Sequence, residues 1–311
     1  MFIYVIIIFI ALLVLTVMIN NHFVQEIDFT PMYKSNLFSN INLNSTQIID
    51  KIKDNQILKY NYNNNYKIAL ISLSVGSGRK FAEASKQRLQ QYADIHGYTL
   101  EYFNKNIDKN YGPMWQKVLA VKEVLNKNIY DYVVWIDDDI YITNTSFKIE
   151  DFINLTNKPI IMSRDRFIND VDLYINSGIY ILKTNKISKQ FIQDTIDNYN
   201  LMKGYFKYRP LHEQSVMTYL FLKEYYNDIE VLPFNTLQSF KQLGISKFYS
   251  WLSSDKIEIR DWKEGDFIMH YAGVNKEKRN VLMPKMIGKD ILIKLNDKEY
   301  PITRQNWEIY N

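Results

Sequence analysis

The stretch DYVVWIDDDIYITN, residues 131–144, decides how the rest of the chain is read. Four apolar residues, Tyr132 to Trp135, lead toward Asp137, Asp138 and Asp139, and Ile140–Tyr141–Ile142 follow. Carboxylates repel one another, and a buried unpaired carboxylate is costly. The apolar run reads as a buried strand. Side chains alternate along a strand, so extended geometry carried through the cluster points Asp137 and Asp139 one way and Asp138 the other. The pair then stands at the carboxyl end of a buried parallel strand, where open α/β sheets bind ligands. Two adjacent carboxylates need a cation. Hard oxygen ligands with open positions suit Mn²⁺ or Mg²⁺, which can also hold a diphosphate.

Two other readings compete. A solvated turn after a strand conflicts with the apolar residues on both sides of the cluster. An aspartate-phosphatase loop would make Asp137 a nucleophile and Asp139 an acid/base. That loop wants a small residue and Thr where Ile140 and Tyr141 stand, and its later acidic motif has only EGD (264–266) as a candidate.

Outward from the cluster, the pattern alternates. YKIALISLSVG (66–76) reads as a strand, residues 78–97 as a helix closed by Gly97, and YTLEYFN (98–104) as a strand. Residues 113–128 form a helix with Pro113 in its first turn. KPIIMSRD (158–165) and NSGIYILK (176–183) are further strands, helices follow at about 186–200 and 212–226, and DFIMHYAG (266–273) is a late strand or loop. Strands separated by helices imply βαβ units and a mainly parallel sheet.

The chain of 311 residues is long enough for one large α/β domain or two small ones. A net charge of +4 gives no reason to expect nucleic acid. The absence of cysteine excludes disulfides, zinc–thiolate sites and a thiol nucleophile. Residues 1–19, MFIYVIIIFIALLVLTVMI, carry no charge, Gly or Pro. At 1.5 Å per residue they span roughly 30 Å, the thickness of a bilayer core, and no small-residue cleavage site follows. They read as an uncleaved signal anchor with the body lumenal. Residues 20–64 read as a stem, 65–285 as the folded domain, and 286–311 as an extension with a small hairpin. Sequons start at Asn44, Asn144 and Asn154.

In order, QQYADIHGYTLEYFN, MWQKVLAVKEVL, YVVWIDDDIYITN, IIMSRD, NSGIYILK, HEQSV and MHYAG resemble glycosyltransferase family 34, the galactosyl/mannosyl/xylosyltransferases of the galactomannan and xyloglucan type. The resemblance covers about residues 66–276. It implies a GT-A fold on a single-pass type II membrane protein of the Golgi or ER, consistent with the anchor and stem. It also implies retaining transfer of a hexose or pentose from a UDP- or GDP-sugar to a glycan or glycoconjugate hydroxyl, with Mn²⁺ or Mg²⁺. A homo-oligomer is compatible with it.

Carried over by position, Asp137 and Asp139 match the DxD that holds metal and nucleotide, with Asp138 between them, and His270 matches the late metal-ligating histidine. Without the resemblance, a hydrogen-bonded core histidine is the plainer reading of His270. Ser72, in the first loop SLSVGSG (72–78), and Lys117 match nucleotide-side positions. Asp165 and Asn176–Ser177–Gly178 match positions lining the donor sugar, although NSG alone suits a tight turn. Glu213 and Gln214 match residues beside the anomeric carbon, where the family more often has Asp. Gly273 and Lys276 stand where the diphosphate is held, but Lys276 comes later than the family's basic residue, with Lys278 and Arg279 behind it. The glycogenin-like transferases share much of this pattern but continue the late His-x-x-Gly with Lys-Pro-Trp, where this chain has VNKEKRN (274–280). A non-catalytic glycan-binding protein on the same fold has no use for a metal triad.

Overall fold

A computed structural model describes residues 66–165, 175–200, 212–241 and 261–287. The anchor at 1–19, the stem at 20–64, the sequon at Asn44 and the C-terminal hairpin lie outside the described residues. Among the described residues, no helix is long and apolar enough to cross a membrane.

The chain runs β1 (Ile68–Leu73), α1 (Lys80–His96), β2 (Thr99–Phe103), a 3₁₀ turn (Pro113–Trp115) leading into α2 (Gln116–Asn126), then β3 (Tyr132–Ile136). It continues through β4 (Ile140–Ile142), α3 (Ile149–Ile153), β5 (Ile160–Arg164), β6 (Ile175–Lys183) and α4 (Lys186–Asp197). It ends with α5 (Glu213–Leu220), β7 (Ile229–Leu232), β8 (Ser239–Phe240), β9 (Ile268–His270) and α6 (Lys276–Leu282). The helix read over 212–226 begins one residue later, and after Leu220 widens into a π-turn at Phe221–Tyr225.

The main sheet has the order β2–β1–β3–β6–β5–β7. Only β6 runs against its neighbours; the other pairings are parallel. A second sheet, β4–β9–β8, is seeded by the residues just after the aspartates. The mixed, mainly parallel sheet flanked by helices is the one the alternating pattern implies.

Strand β3 is buried throughout because both faces of the sheet are covered, which is why it reads as an unbroken apolar run. Ala69, Ile71, Val133 and Trp135 pack on one face with Val118, Val121 and Leu125 of α2, Phe191 of α4 and Met217 of α5. Ile68, Leu70, Val134 and Ile136 pack on the other with Leu89 and Tyr92 of α1 and Phe152 of α3. Each fully buried Val, Leu, Ile, Phe or Met among them contributes about 1.5–3 kcal/mol. This layering decides where each aspartate finds a partner.

Local signals set the element ends. Gly97 closes α1 with φ 72°, the left-handed conformation glycine adopts without a Cβ penalty. The Asn185 side chain accepts from Ser188 N to start α4. Asn144, which opens one of the sequons, is fully buried, its Nδ2 donating to Gly265 O at 3.1 Å and its Oδ1 accepting from Ser146 N at 3.0 Å, so in the folded chain its amide is already engaged. Asn154 is exposed.

Candidate active site

β3 ends at Ile136, and the aspartates form a turn in which Ile140 N donates to Asp137 O at 3.1 Å. Extended geometry does not persist through the cluster, contrary to the simple alternation argument. Asp137 and Asp139 nevertheless converge. Together with His270, each offers one ligand atom, all within 4.8 Å of one another.

Each aspartate meets a cation delivered by a different segment, α2, the residue before α1, and α6. Asp137 follows Trp135 onto the α2 face, where Trp135 Nε1 donates to its Oδ1 at 2.8 Å. Lys117 of α2 reaches the same oxygen at 2.9 Å. Asp138 turns toward α1, where the Arg79 guanidinium grips it with Nη2 to Oδ1 at 2.7 Å and Nε to Oδ2 at 3.1 Å. Asp139 receives Arg279 of α6, Nη1 to Oδ2 at 2.6 Å, and lies 3.3 Å from His270 Nε2. Arg79 and Arg279 also flank the Phe81 ring at 4.8 and 4.9 Å from its centroid.

The electrostatics follow from these contacts. Burial pushes the Asp137 carboxyl above its ordinary range, Lys117 pulls it back, and the Asp139 charge pushes the same way as burial. Burial also acts to raise Asp139, but His270 and Arg279 outweigh it and hold that carboxyl down at about 2. Burial would lower Lys117, yet Asp137 and Glu213 raise it well above the ordinary lysine range, so it stays charged.

Lys117 joins two parts of the site. Its Nζ lies 2.9 Å from Glu213 Oε1 and 3.3 Å from the Ser177 carbonyl. Ser177 Oγ donates to Glu213 Oε1 at 3.0 Å. Ser177 N donates to Gln214 Oε1 at 3.0 Å, and Gln214 Nε2 donates to Asp165 Oδ2 at 2.8 Å. Asn176 Nδ2 donates to the same Asp165 oxygen at 3.3 Å. Asn176, Ser177 and Gly178 therefore lie inside β6 and not in a turn. Among the buried oxygens of the described residues that have no hydrogen-bond partner are Glu213 Oε2 and the Ser72 hydroxyl near the end of β1. A buried acceptor left unmet costs about 1–3 kcal/mol until a ligand supplies a donor.

The residues fit a divalent cation. Gln238 Oε1, 2.8 Å from His270 Nδ1, accepts an N–H and so places the proton on Nδ1. Nε2, 3.3 Å from Asp139 Oδ1, is then the nitrogen that would offer its lone pair to a cation bound between them. Two carboxylates and one imidazole, the imidazole oriented by an outer amide, is a donor set suited to Mn²⁺ or a similar ion. Gly178 makes room for the ring: a Cβ there would sit 2.4 Å from His270 Cε1.

Lys276, placed by position at the diphosphate, instead donates to Ser77 O at 3.1 Å, bracing the first loop. Gly273 has φ 75° in the turn that carries the chain from His270 to α6. Arg79 and Gln238 were missed by sequence reasoning. Arg79 directly follows the glycines of the first loop, which was a usable signal; Gln238 offered none. A cavity of about 510 Å³, lined by Lys122, Asn128, Thr184 and Lys189 among others, holds none of these residues.

Residues 73–158 match the galactosyl transferase GMA12/MNN10 family, which is glycosyltransferase family 34. No curated protein matches the chain. Among solved structures, the chain is similar to a glycosyltransferase involved in glycosylation of the major capsid of PBCV-1, with a TM-score of 0.52 and 16% identity, over 70% of this chain and 99% of that one. It is also similar to the glycosyltransferase GlyE of Streptococcus pneumoniae TIGR4, with a TM-score of 0.46 and 15% identity, over 72% of this chain and 64% of that one. The galactosyltransferase LgtC, solved with donor and acceptor sugar analogs, gives 0.44 and 10%, over 70% and 95%. The likeness to the first of these, at 16% identity, shows the fold alone, a GT-A type. The family match and the fold together support a glycosyltransferase.

Proposed function

We propose that this chain, bearing the family 34 signature over residues 73–158, transfers a hexose or pentose from a UDP- or GDP-sugar to a glycan hydroxyl, with retention and an α-linkage. The observation that carries the reading is the convergence of Asp137, Asp139 and His270 within 4.8 Å at the end of β3.

Those three residues would hold a divalent cation, most naturally Mn²⁺. Bound there, the cation supplies a Lewis acid that offsets charge on the departing diphosphate. The chain's own groups do the rest. Lys117, locked between Asp137 and Glu213, pairs with both carboxylates and fixes the Ser177 backbone. Gln214 and Asn176 hold Asp165 in place along the donor-sugar side. Glu213 Oε2, buried and unpartnered, accepts a hydroxyl of the donor sugar and orients it.

Retention is achieved by attack from the face the diphosphate leaves, with the leaving phosphate oxygen taking the acceptor's proton. This route needs no enzyme nucleophile, in keeping with an Asp165 oxygen already tied to two N–H donors. The uncharged residues 1–19 support a single-pass anchor, with the folded domain on the lumenal side of a secretory membrane.

The test is a panel of UDP- and GDP-sugars incubated with the purified full-length protein, with Mn²⁺ or with EDTA, reading nucleotide release. Mn²⁺-dependent release from one donor, lost in Asp139→Ala, is expected. A folded protein that releases nothing and binds no nucleotide refutes the proposal.

A further inference from the structure

We propose that Arg279 is a resident counter-ion that occupies Asp139 while the site is empty, opposes a divalent cation that arrives alone, and passes to the diphosphate when both ligands bind. The inference rests on the nucleotide-sugar reading above and adds a coupling between its two ligands.

Three cations of the chain sit on the three aspartates, so an incoming divalent ion must displace one of them. Lys117 is fixed by two carboxylates and by Ser177, and is almost fully buried. Arg79 holds Asp138, which is outside the ligand triad. Arg279 holds Asp139, which is inside it, at 2.6 Å from the oxygen opposite the one nearest His270. A guanidinium and a metal ion cannot both take this carboxylate at full strength, because each draws on the same charge.

Arg279 is also built to leave Asp139 without leaving the site. Its guanidinium rests on the Phe81 ring, which keeps it at the mouth of the cluster when the ion pair opens. Its Nε is buried with no hydrogen-bond partner, a donor in reserve. A planar fork with spare N–H groups suits a diphosphate better than a lysine ammonium does. Lys276, the residue expected there, is committed to the Ser77 carbonyl.

The consequence is thermodynamic coupling. The cation alone must compete with Arg279. The diphosphate alone meets three carboxylates. Each therefore raises the affinity for the other by the same factor. A hydrogen bond to a charged group sets the scale of the competition, about ten- to a hundredfold.

The test measures binding on the full-length protein, without turnover. Mn²⁺ is titrated alone, and UDP and GDP are each titrated with and without Mn²⁺, for wild type, Arg279→Gln and Arg279→Lys. Thermal melts establish that each variant is folded. In Arg279→Gln, Mn²⁺ alone binds at least about tenfold tighter than to wild type, and the Mn²⁺-dependent gain in diphosphate affinity falls by about the same factor. Arg279→Lys, which keeps one charge, restores most of the wild-type weakness toward Mn²⁺. Equal or weaker Mn²⁺ binding in Arg279→Gln overturns the counter-ion role. Tighter Mn²⁺ binding with an unchanged gain overturns the transfer to the diphosphate. Tighter Mn²⁺ binding with neither UDP nor GDP binding to any form supports the counter-ion role and refutes the nucleotide-sugar reading instead.

Discussion

Gly178→Ala is the sharpest small perturbation of the proposed metal centre. A Cβ at this position would lie 2.4 Å from His270 Cε1, 2.8 Å from Asn176 Oδ1 and 3.1 Å from His270 Nδ1. Reaching an ordinary carbon–carbon separation of about 3.5 Å requires the imidazole to retreat by about 1 Å. The ring has little freedom to do so. It stacks on Phe240 with centroids 5.1 Å apart, and its Nδ1 is tied to Gln238. Overpacking of this kind costs about 1–3 kcal/mol. Ligand distances at a metal tolerate only about 0.2 Å, so a shift of this size removes His270 from coordination. The variant should fold with a moderately lowered Tm and bind Mn²⁺ about 10–100-fold more weakly. Calorimetric Mn²⁺ titration beside a thermal melt measures both. In the Gly178→Ala/His270→Ala double variant the methyl no longer has a ring to displace, so the loss should equal that of His270→Ala alone. Wild-type Mn²⁺ affinity in folded Gly178→Ala, or losses that simply add, would refute the reasoning.

Lys117→Met strips the ammonium that pairs with both Asp137 and Glu213 and should cost about 3–5 kcal/mol in urea unfolding; a loss below about 1 kcal/mol means the carboxylates find other partners. Pairing Lys117→Met with Glu213→Gln should recover part of that loss. A double-mutant cycle on Arg79 and Asp138 should give a coupling of only about 0.5–1 kcal/mol, because Arg79 is partly solvated; no coupling at all would show that the bidentate contact does not persist in solution. His96, whose Nε2 donates to Thr145 O at 2.8 Å, has its pKa lowered by burial. The unfolded chain therefore takes up this proton first, near pH 6.5, and stability falls as pH drops through that value, with no contribution above it. His96→Asn should flatten this decline between pH 7.5 and 5.5, and an unchanged slope would assign it to other groups.

Much of the fold was legible because burial on two faces leaves a mark in the sequence. Tyr132 to Ile136 reads as a continuous apolar run since helices cover both sides, and the spacing of Leu89 and Tyr92 follows from α1 packing on one of them. The helix widening at Phe221–Tyr225 was not legible, since its residues keep helical spacing and only the register of hydrogen bonds changes. Asn144 shows the limit of a short motif: the sequon is intact, but tertiary burial consumes its amide.

For the site, the sequence by itself determined that carboxylates end a buried strand, that a histidine and an acidic–Gln pair follow, and that the arrangement resembles one known family. Those are properties of residue type and order. The partners were decided by the tertiary structure alone, because charges separated by long stretches of chain meet only after the layers pack. Lys117 is 20 residues from Asp137, Arg79 is 59 from Asp138, and Arg279 is 140 from Asp139. Nothing in sequence spacing ranks Arg279 above Lys276 or Lys278. The Gly273 turn and the bearing of α6 do so, by carrying one side chain onto Asp139 and another onto Ser77.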